Sequence, residues 1–251
     1  MRVLVVTAVA AEADSVGAGL SRFAGGGPRE MTGGYELRSH AQYMPRISSV
    51  QIPVVDVLAG GVGPAAVAAA TATALATSPY DPPYDLVISA GIGGGFAPHA
   101  PLGSLVVADT IIAADLGAGS PDGYVPVDEL GFGRTVHRPP AALTARIMKV
   151  LGAGDAEHPV VSAPVLTVST VTGTAERTAE LVARHPRAAA EGMEGFGVAE
   201  AAAAHSIPFA EIRAISNAVG PRDRAAWRID RALDSLRYAF TLLTPVFEEP
   251  T

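Results

Sequence analysis

Short β-branched runs alternate with longer alanine-rich stretches along the whole chain. Val3 to Thr7, Val54 to Ala59, Asp85 to Ala90, Ser104 to Ala113, Val160 to Ser169 and Phe209 to Ser216 are predicted strands. Most are continuously apolar rather than alternating, as a sheet covered on both faces requires. Pro64 to Thr77, Pro140 to Leu151, Glu176 to His185 and Phe196 to His205 are predicted helices, and a last one runs from Arg224 to about Leu243. Pro64 and Pro140 sit where a first helical turn tolerates proline. This order predicts an α/β fold: one domain over residues 1–251, with a mixed, largely parallel central sheet flanked by helices on both faces. Leu116 to Arg138, rich in Gly, Pro and Asp, is long for a connection and reads as a substrate lid or an ordinary surface excursion.

In open α/β sheets ligands bind beyond the carboxyl ends of the strands. Four segments follow predicted strands: Thr7 to Glu12, Gly60 to Gly63, Ala90 to Gly95, and Ser216-Asn217. A fifth, Gly192-Met193-Glu194-Gly195, precedes a helix. Gly61-Val62-Gly63-Pro64-Ala65-Ala66 matches the dinucleotide pattern G-x-G-x-x-A, but it follows a later strand than that fold uses. Pro64 also lacks one of the N–H groups that would cradle a pyrophosphate, so a tight strand–helix turn is the better reading. Gly91 to Gly95 lets backbone approach a ligand, or another strand, without Cβ interference, and the Lys-Ser/Thr of a P-loop does not follow it.

Composition narrows the partners. Of 251 residues, 18 are Lys or Arg and 25 are Asp or Glu, a net charge of −7 that suits neither nucleic acid nor an anionic membrane. The absence of cysteine removes thiol nucleophiles, thiolate metal sites and disulfides together. The apolar start Met1 to Thr7 is too short for a signal peptide and is followed at once by Glu12 and Asp14. The expectation is a cytoplasmic protein with no membrane partner.

Two carboxylates stand out. Glu12 near a helix start reads as a solvated first-turn acid. Glu194, between glycines and the apolar run Val198 to Ala204, should be partly buried and therefore needs a partner, of which a ribose diol is one.

With these segments the chain resembles the nucleoside phosphorylase/nucleosidase superfamily over nearly its full length. An early Glu, the Gly-Val-Gly turn, Ala90 to Gly95, Met193-Glu194-Gly195 and Arg213-Ala214-Ile215-Ser216-Asn217 occur in family order. It is most similar to the hydrolytic branch, the 5′-methylthioadenosine/S-adenosylhomocysteine nucleosidases and the futalosine hydrolases. Ala114 to Ala118 and Asp128 to Gly133 resemble the latter.

The resemblance implies that Glu12 activates water, that Met193 lies beneath the ribose and Glu194 holds its hydroxyls, and that Gly93, Gly94 and the backbone at Thr172 and Gly173 contact the substrate. Asn217 stands where the adenosine enzymes carry an aspartate that serves purine N7. An asparagine always has a donor to offer and suits a 6-oxopurine, which predicts hypoxanthine as leaving group. Trp227 either stacks on the substrate's aromatic 5′ group or anchors the last helix. Arg222 and Arg224 either pair with a substrate carboxylate or lie at the surface.

The implied activity is hydrolysis of futalosine in menaquinone biosynthesis, without metal or cofactor, by a homodimer or larger homo-oligomer. Inosine or methylthioadenosine cleavage, phosphorolysis, and a non-catalytic nucleoside binder are the alternatives. The stretch after Gly95 supplies no Arg or Lys until Arg134 to hold phosphate, which favours water as the nucleophile, although Arg22 and Arg29 earlier in the chain are left as candidates to hold it.

Overall fold

All six residues of β1 (Arg2–Thr7) are buried, and side-chain alternation explains why the run needs no polar positions. Val3 and Val5 enter one core while Leu4 and Val6 enter the other, on the opposite face of the sheet. The computed structural model describes residues 1–42, 53–77, 83–121 and 123–248. After β1 come α1 (Ala10–Gly19), β2 (Phe23–Glu30), β3 (Glu36–Gln42), β4 (Val54–Ala59) and α2 (Pro64–Ala76). β5 (Leu86–Gly95), β6 (Leu105–Ala113), β7 (Gly117–Ser120), β8 (Gly123–Pro126), β9 (Val136–His137) and α3 (Ala141–Gly152) follow. The chain then passes through β10 (Val160–Thr167), α4 (Ala175–Arg184), β11 (Ala190–Gly192), α5 (Gly195–Ala204), β12 (Phe209–Ala218), α6 (Ile229–Leu242) and α7 (Thr244–Glu248).

β1 pairs in parallel with β4 and β5, and this centre is covered on both sides. One core takes apolar side chains from α1, α3, α6 and α7, the other from α2 and α5. Away from the centre the sheet departs from the expected flanked layer. β5 pairs with β12, β12 with β6, β6 with β10 and β10 with β11, and β11 returns to β5 in antiparallel sense. That part is a closed, barrel-like ring rather than an open sheet. Irregularities between Ala163 and Val165 in β10 and between Ile215 and Asn217 in β12 supply the bends that closure needs.

Three further differences bear on function. Gly91 to Gly95 is not a ligand loop after a strand but the second half of β5 itself. The last helix starts at Ile229 rather than Arg224: Asp223 caps a single 3₁₀ turn, and Trp227 is extended (φ −68°, ψ 141°). The 116–138 segment holds the β7–β8 hairpin and β9, which pairs with β6; Asp122 lies outside the described residues. Among the described residues no helix is long and apolar enough to cross a membrane.

Candidate active site

Glu12 sits at the third position of α1, where a glutamate can reach back over the helix start. Its Oε2 accepts from the backbone N–H of Ala8 (2.9 Å) and Val9 (3.2 Å), and its Oε1 from that of Ile92 in β5 (2.9 Å). Only 4% of the residue is exposed, so it is not the solvated first-turn acid that its position alone suggested. Burial pushes its pKa above the ordinary carboxylate range, and the nearby Arg213 guanidinium pulls it back.

Glu194 closes the turn into α5. Its Oε1 accepts from Gly63 N–H and its Oε2 from Met193 N–H, both at 3.2 Å. The Gly-Val-Gly turn is therefore an anchor for this carboxylate. Arg213 Nη1 donates to Glu194 Oε2 at 3.0 Å, and Arg213 Nε to Glu211 Oε1 at 2.8 Å. Nη2 reaches Ser89 Oγ at 3.1 Å. Arg213 and Glu211 are both fully buried. Burial raises the Glu211 pKa, with the Arg213 charge opposing it.

Gly91 shows how closely these charges converge. A Cβ there would lie 2.7 Å from Glu12 Oε1 and 2.8 Å from Arg213 Nη1, so any side chain would displace one of these two groups.

A cavity of about 270 Å³ opens at the carboxyl ends of β1 and β5, where the topology rule places a ligand. Glu12, Glu194, Met193, Asn217, Gly93, Gly94 and Trp227 all line it. Thr172 and Gly173 do not: Val171 lines it in their place, and both the N–H (2.9 Å) and the hydroxyl of Thr172 bond the carboxylate of Glu191. Trp227, in the extended link before α6, lines the cavity, with the guanidiniums of Arg222 and Arg224 at 5.5 and 5.9 Å from its ring centre. Neither arginine lines the cavity, and no described residue of 116–138 does.

Asn217 follows the irregularity at Ser216. Ser216 Oγ lies 2.8 Å from Asn217 Oδ1, and Asn217 Nδ2 donates to the Ala218 carbonyl at 3.0 Å, which leaves one N–H for a ligand.

In the sequence Arg213 stands out only as part of a motif, and Glu191 and Glu211 do not stand out. A signal was available for two of them: Glu211 and Arg213, two apart in an otherwise apolar strand, share one face and must pair if buried. Among the described residues no three His, Asp or Glu side chains are grouped as metal ligands would be.

The family model for the phosphorylase superfamily matches residues 34–239. A futalosine hydrolase from Streptomyces coelicolor is 60% identical over 194 residues, 77% of this chain and 80% of that one. One from Acidothermus cellulolyticus is 43% identical over 241 residues, 96% of this chain and 89% of its own. The native structure of futalosine hydrolase from Helicobacter pylori superposes with a TM-score of 0.76 at 15% identity, covering 98% of each chain, a likeness of fold.

Proposed function

The chain belongs to the phosphorylase superfamily and, within it, to the futalosine hydrolase family, and on that premise we propose that it hydrolyses the N-glycosidic bond of futalosine, releasing hypoxanthine and dehypoxanthine futalosine in menaquinone biosynthesis. The observation that carries the reading is the convergence of Glu12, Glu194 and Asn217 on one cavity.

Cleavage breaks C1′–N9 and forms C1′–O. Positive charge builds on the ribose and negative charge on the departing purine, so both ends need stabilisation in the transition state. Glu12, fixed by three backbone donors, takes a proton from the attacking water. Glu194, held by Gly63, Met193 and Arg213, accepts from the ribose hydroxyls and places a negative charge beside the developing cation, with Met193 beneath the ring. Asn217 donates its remaining N–H to the base edge at N7 and O6. Trp227 packs on the substrate's 5′ side, with Gly93 and Gly94 under the base.

Residues 1–251 act as one nucleosidase domain in this reading, supported by a main sheet whose strands span Arg2 to Ala218. A homo-oligomer completes the 5′ end, supported by exposed Val9, Val62, Val171 and Ile229 around the cavity.

Incubation with futalosine tests the function. Hypoxanthine should appear equally fast with and without phosphate; strict phosphate dependence, with a sugar 1-phosphate as product, would make the enzyme a phosphorylase. A pH profile tests the base. Because burial raises Glu12, its proton-accepting form is lost on the acid side at a pH above the usual value of 4.5, and kcat/KM should fall there. An acid limb at or below that value would remove Glu12 as the base.

Asn217→Asp should move the preference toward 6-aminopurine nucleosides by roughly tenfold, since a protonated aspartate can serve N7 while its second oxygen accepts from an exocyclic amine. An unaltered ratio of hypoxanthine to adenine release from paired substrates would defeat this role for Asn217.

A further inference from the structure

A third buried carboxylate faces the cavity, and neither the water nor the ribose needs it. Glu191, on β11, is 4% exposed and lines the cavity. Its Oε1 accepts from Thr172 N–H at 2.9 Å and its Oε2 from the Thr172 hydroxyl. Glu194 has Arg213 at 3.0 Å, whereas Glu191 is braced by a neutral threonine. Burial pushes its pKa up, and the two Thr172 hydrogen bonds restrain it. A carboxylate held this way, with oxygen lone pairs left over, presents acceptors to whatever occupies the cavity.

Strand register says which part of a ligand it meets. Glu191 pairs with Gly94 across β11 and β5, and Asn217 pairs with the same Gly94 across β12 and β5. Register partners on neighbouring strands point to one face of a sheet, so the two side chains flank Gly94 on the cavity side. Their backbones stand about 10 Å apart, two strand spacings. Gly94 places no side chain between them: a Cβ there would come 2.8 Å from Val219 Cγ2 and 3.4 Å from Asn217 Nδ2.

The gap is thus edged by a donor on one side and an acceptor on the other. Around its six-membered edge hypoxanthine offers acceptors at N7 and O6 and then a donor, N1–H. Adenine offers an acceptor at N7, a donor at the 6-amino group and an acceptor at N1. With Asn217 at N7 and O6, the next position meets Glu191. There N1–H of the oxo base is satisfied, whereas the lone pair of adenine N1 would face carboxylate oxygens.

We propose that Glu191 is a specificity-determining residue, its Thr172-braced carboxylate accepting the N1–H of a 6-oxopurine and refusing the 6-aminopurine. This rests on the nucleosidase reading above for the placement of the base, and it adds a second base-recognising group opposite Asn217.

The test compares kcat/KM for futalosine and for its 6-amino analogue in the wild type, Glu191→Gln and Thr172→Val. Glutamine can turn either a carbonyl or an amide N–H toward N1. The oxo-to-amino ratio should therefore fall by roughly ten- to a hundredfold, the cost of one mismatched buried hydrogen bond. Thr172→Val, which removes the hydroxyl brace on Oε2 and keeps the N–H brace on Oε1, should lower the ratio in the same direction by less, and it carries the test if Glu191→Gln does not fold. Rates that fall together on both substrates with the ratio unchanged would make Glu191 a structural residue and overturn the proposal.

Calorimetric titration with the free bases separates this inference from the assigned reaction. A wild-type protein that cleaves no nucleoside, yet binds hypoxanthine more tightly than adenine and loses that difference in Glu191→Gln, would refute the activity and uphold the role of Glu191. Equal affinity for the two bases in an active wild type would do the reverse.

Discussion

Glu12→Gln is expected to lower kcat for futalosine hydrolysis by roughly a thousandfold, within the range a positioned general base contributes, while leaving the affinity for an uncleavable analogue within a few-fold. The amide fills the same volume but cannot take a proton from water. Its effect on folding should be small and negative. Glu12 accepts from backbone N–H groups at both ends of its carboxylate, and an amide N–H₂ must turn one end into a donor facing a donor. That mismatch costs about 1–3 kcal/mol, offset by the removal of a buried negative charge. Single-turnover kinetics beside an analogue-binding titration separates the two effects. Unchanged turnover would take Glu12 out of the mechanism.

Arg213→Met should cost both stability and activity. Arg213 is the cation between Glu194 and Glu211, and its charge also reaches Glu12. Removing one partner from a buried charge pair typically costs about 3–5 kcal/mol, because the remaining charges are left without compensation. For a chain of this size that corresponds to a fall in melting temperature of about 10 °C. Arg213→Lys should recover little, since one ammonium cannot reproduce the fork that holds Glu194 through Nη1 and Glu211 through Nε. The loss should also appear in the pH profile: without the guanidinium, the remaining restraint on Glu12 weakens and the acid limb moves to higher pH. A melting temperature equal to wild type would show that the three carboxylates do not depend on this cation.

The fold was legible where burial is two-sided. β1 reads as a strand because its interior, Val3 to Val6, is continuously apolar, and it is so because helices cover both faces. The β2–β3 hairpin was not legible: Gly25, Gly26, Gly27 and Pro28 lie in a solvent-exposed strand that carries no apolar period. Ring closure through β11 could not be read either, since a three-residue strand leaves no pattern and its pairing with Gly94 and Gly95 is a long-range event. At the site, Glu12, Glu194 and Asn217 are legible through motif resemblance, and their convergence follows from where β1 ends, α5 begins and β12 ends. Thr172 was placed against the substrate by resemblance, but it faces Glu191 instead. Only a three-dimensional neighbour could show that its N–H and hydroxyl were already taken.

The most direct measurement is a crystal structure with an uncleavable, inosine-type analogue bound. The account predicts one ligand in the 270 Å³ cavity, with a water between Glu12 and C1′, the ribose hydroxyls on Glu194, and N7 and O6 beside Asn217. An analogue bound with its C1′ out of reach of Glu12, or with Glu194 and Asn217 touching different molecules, would contradict it.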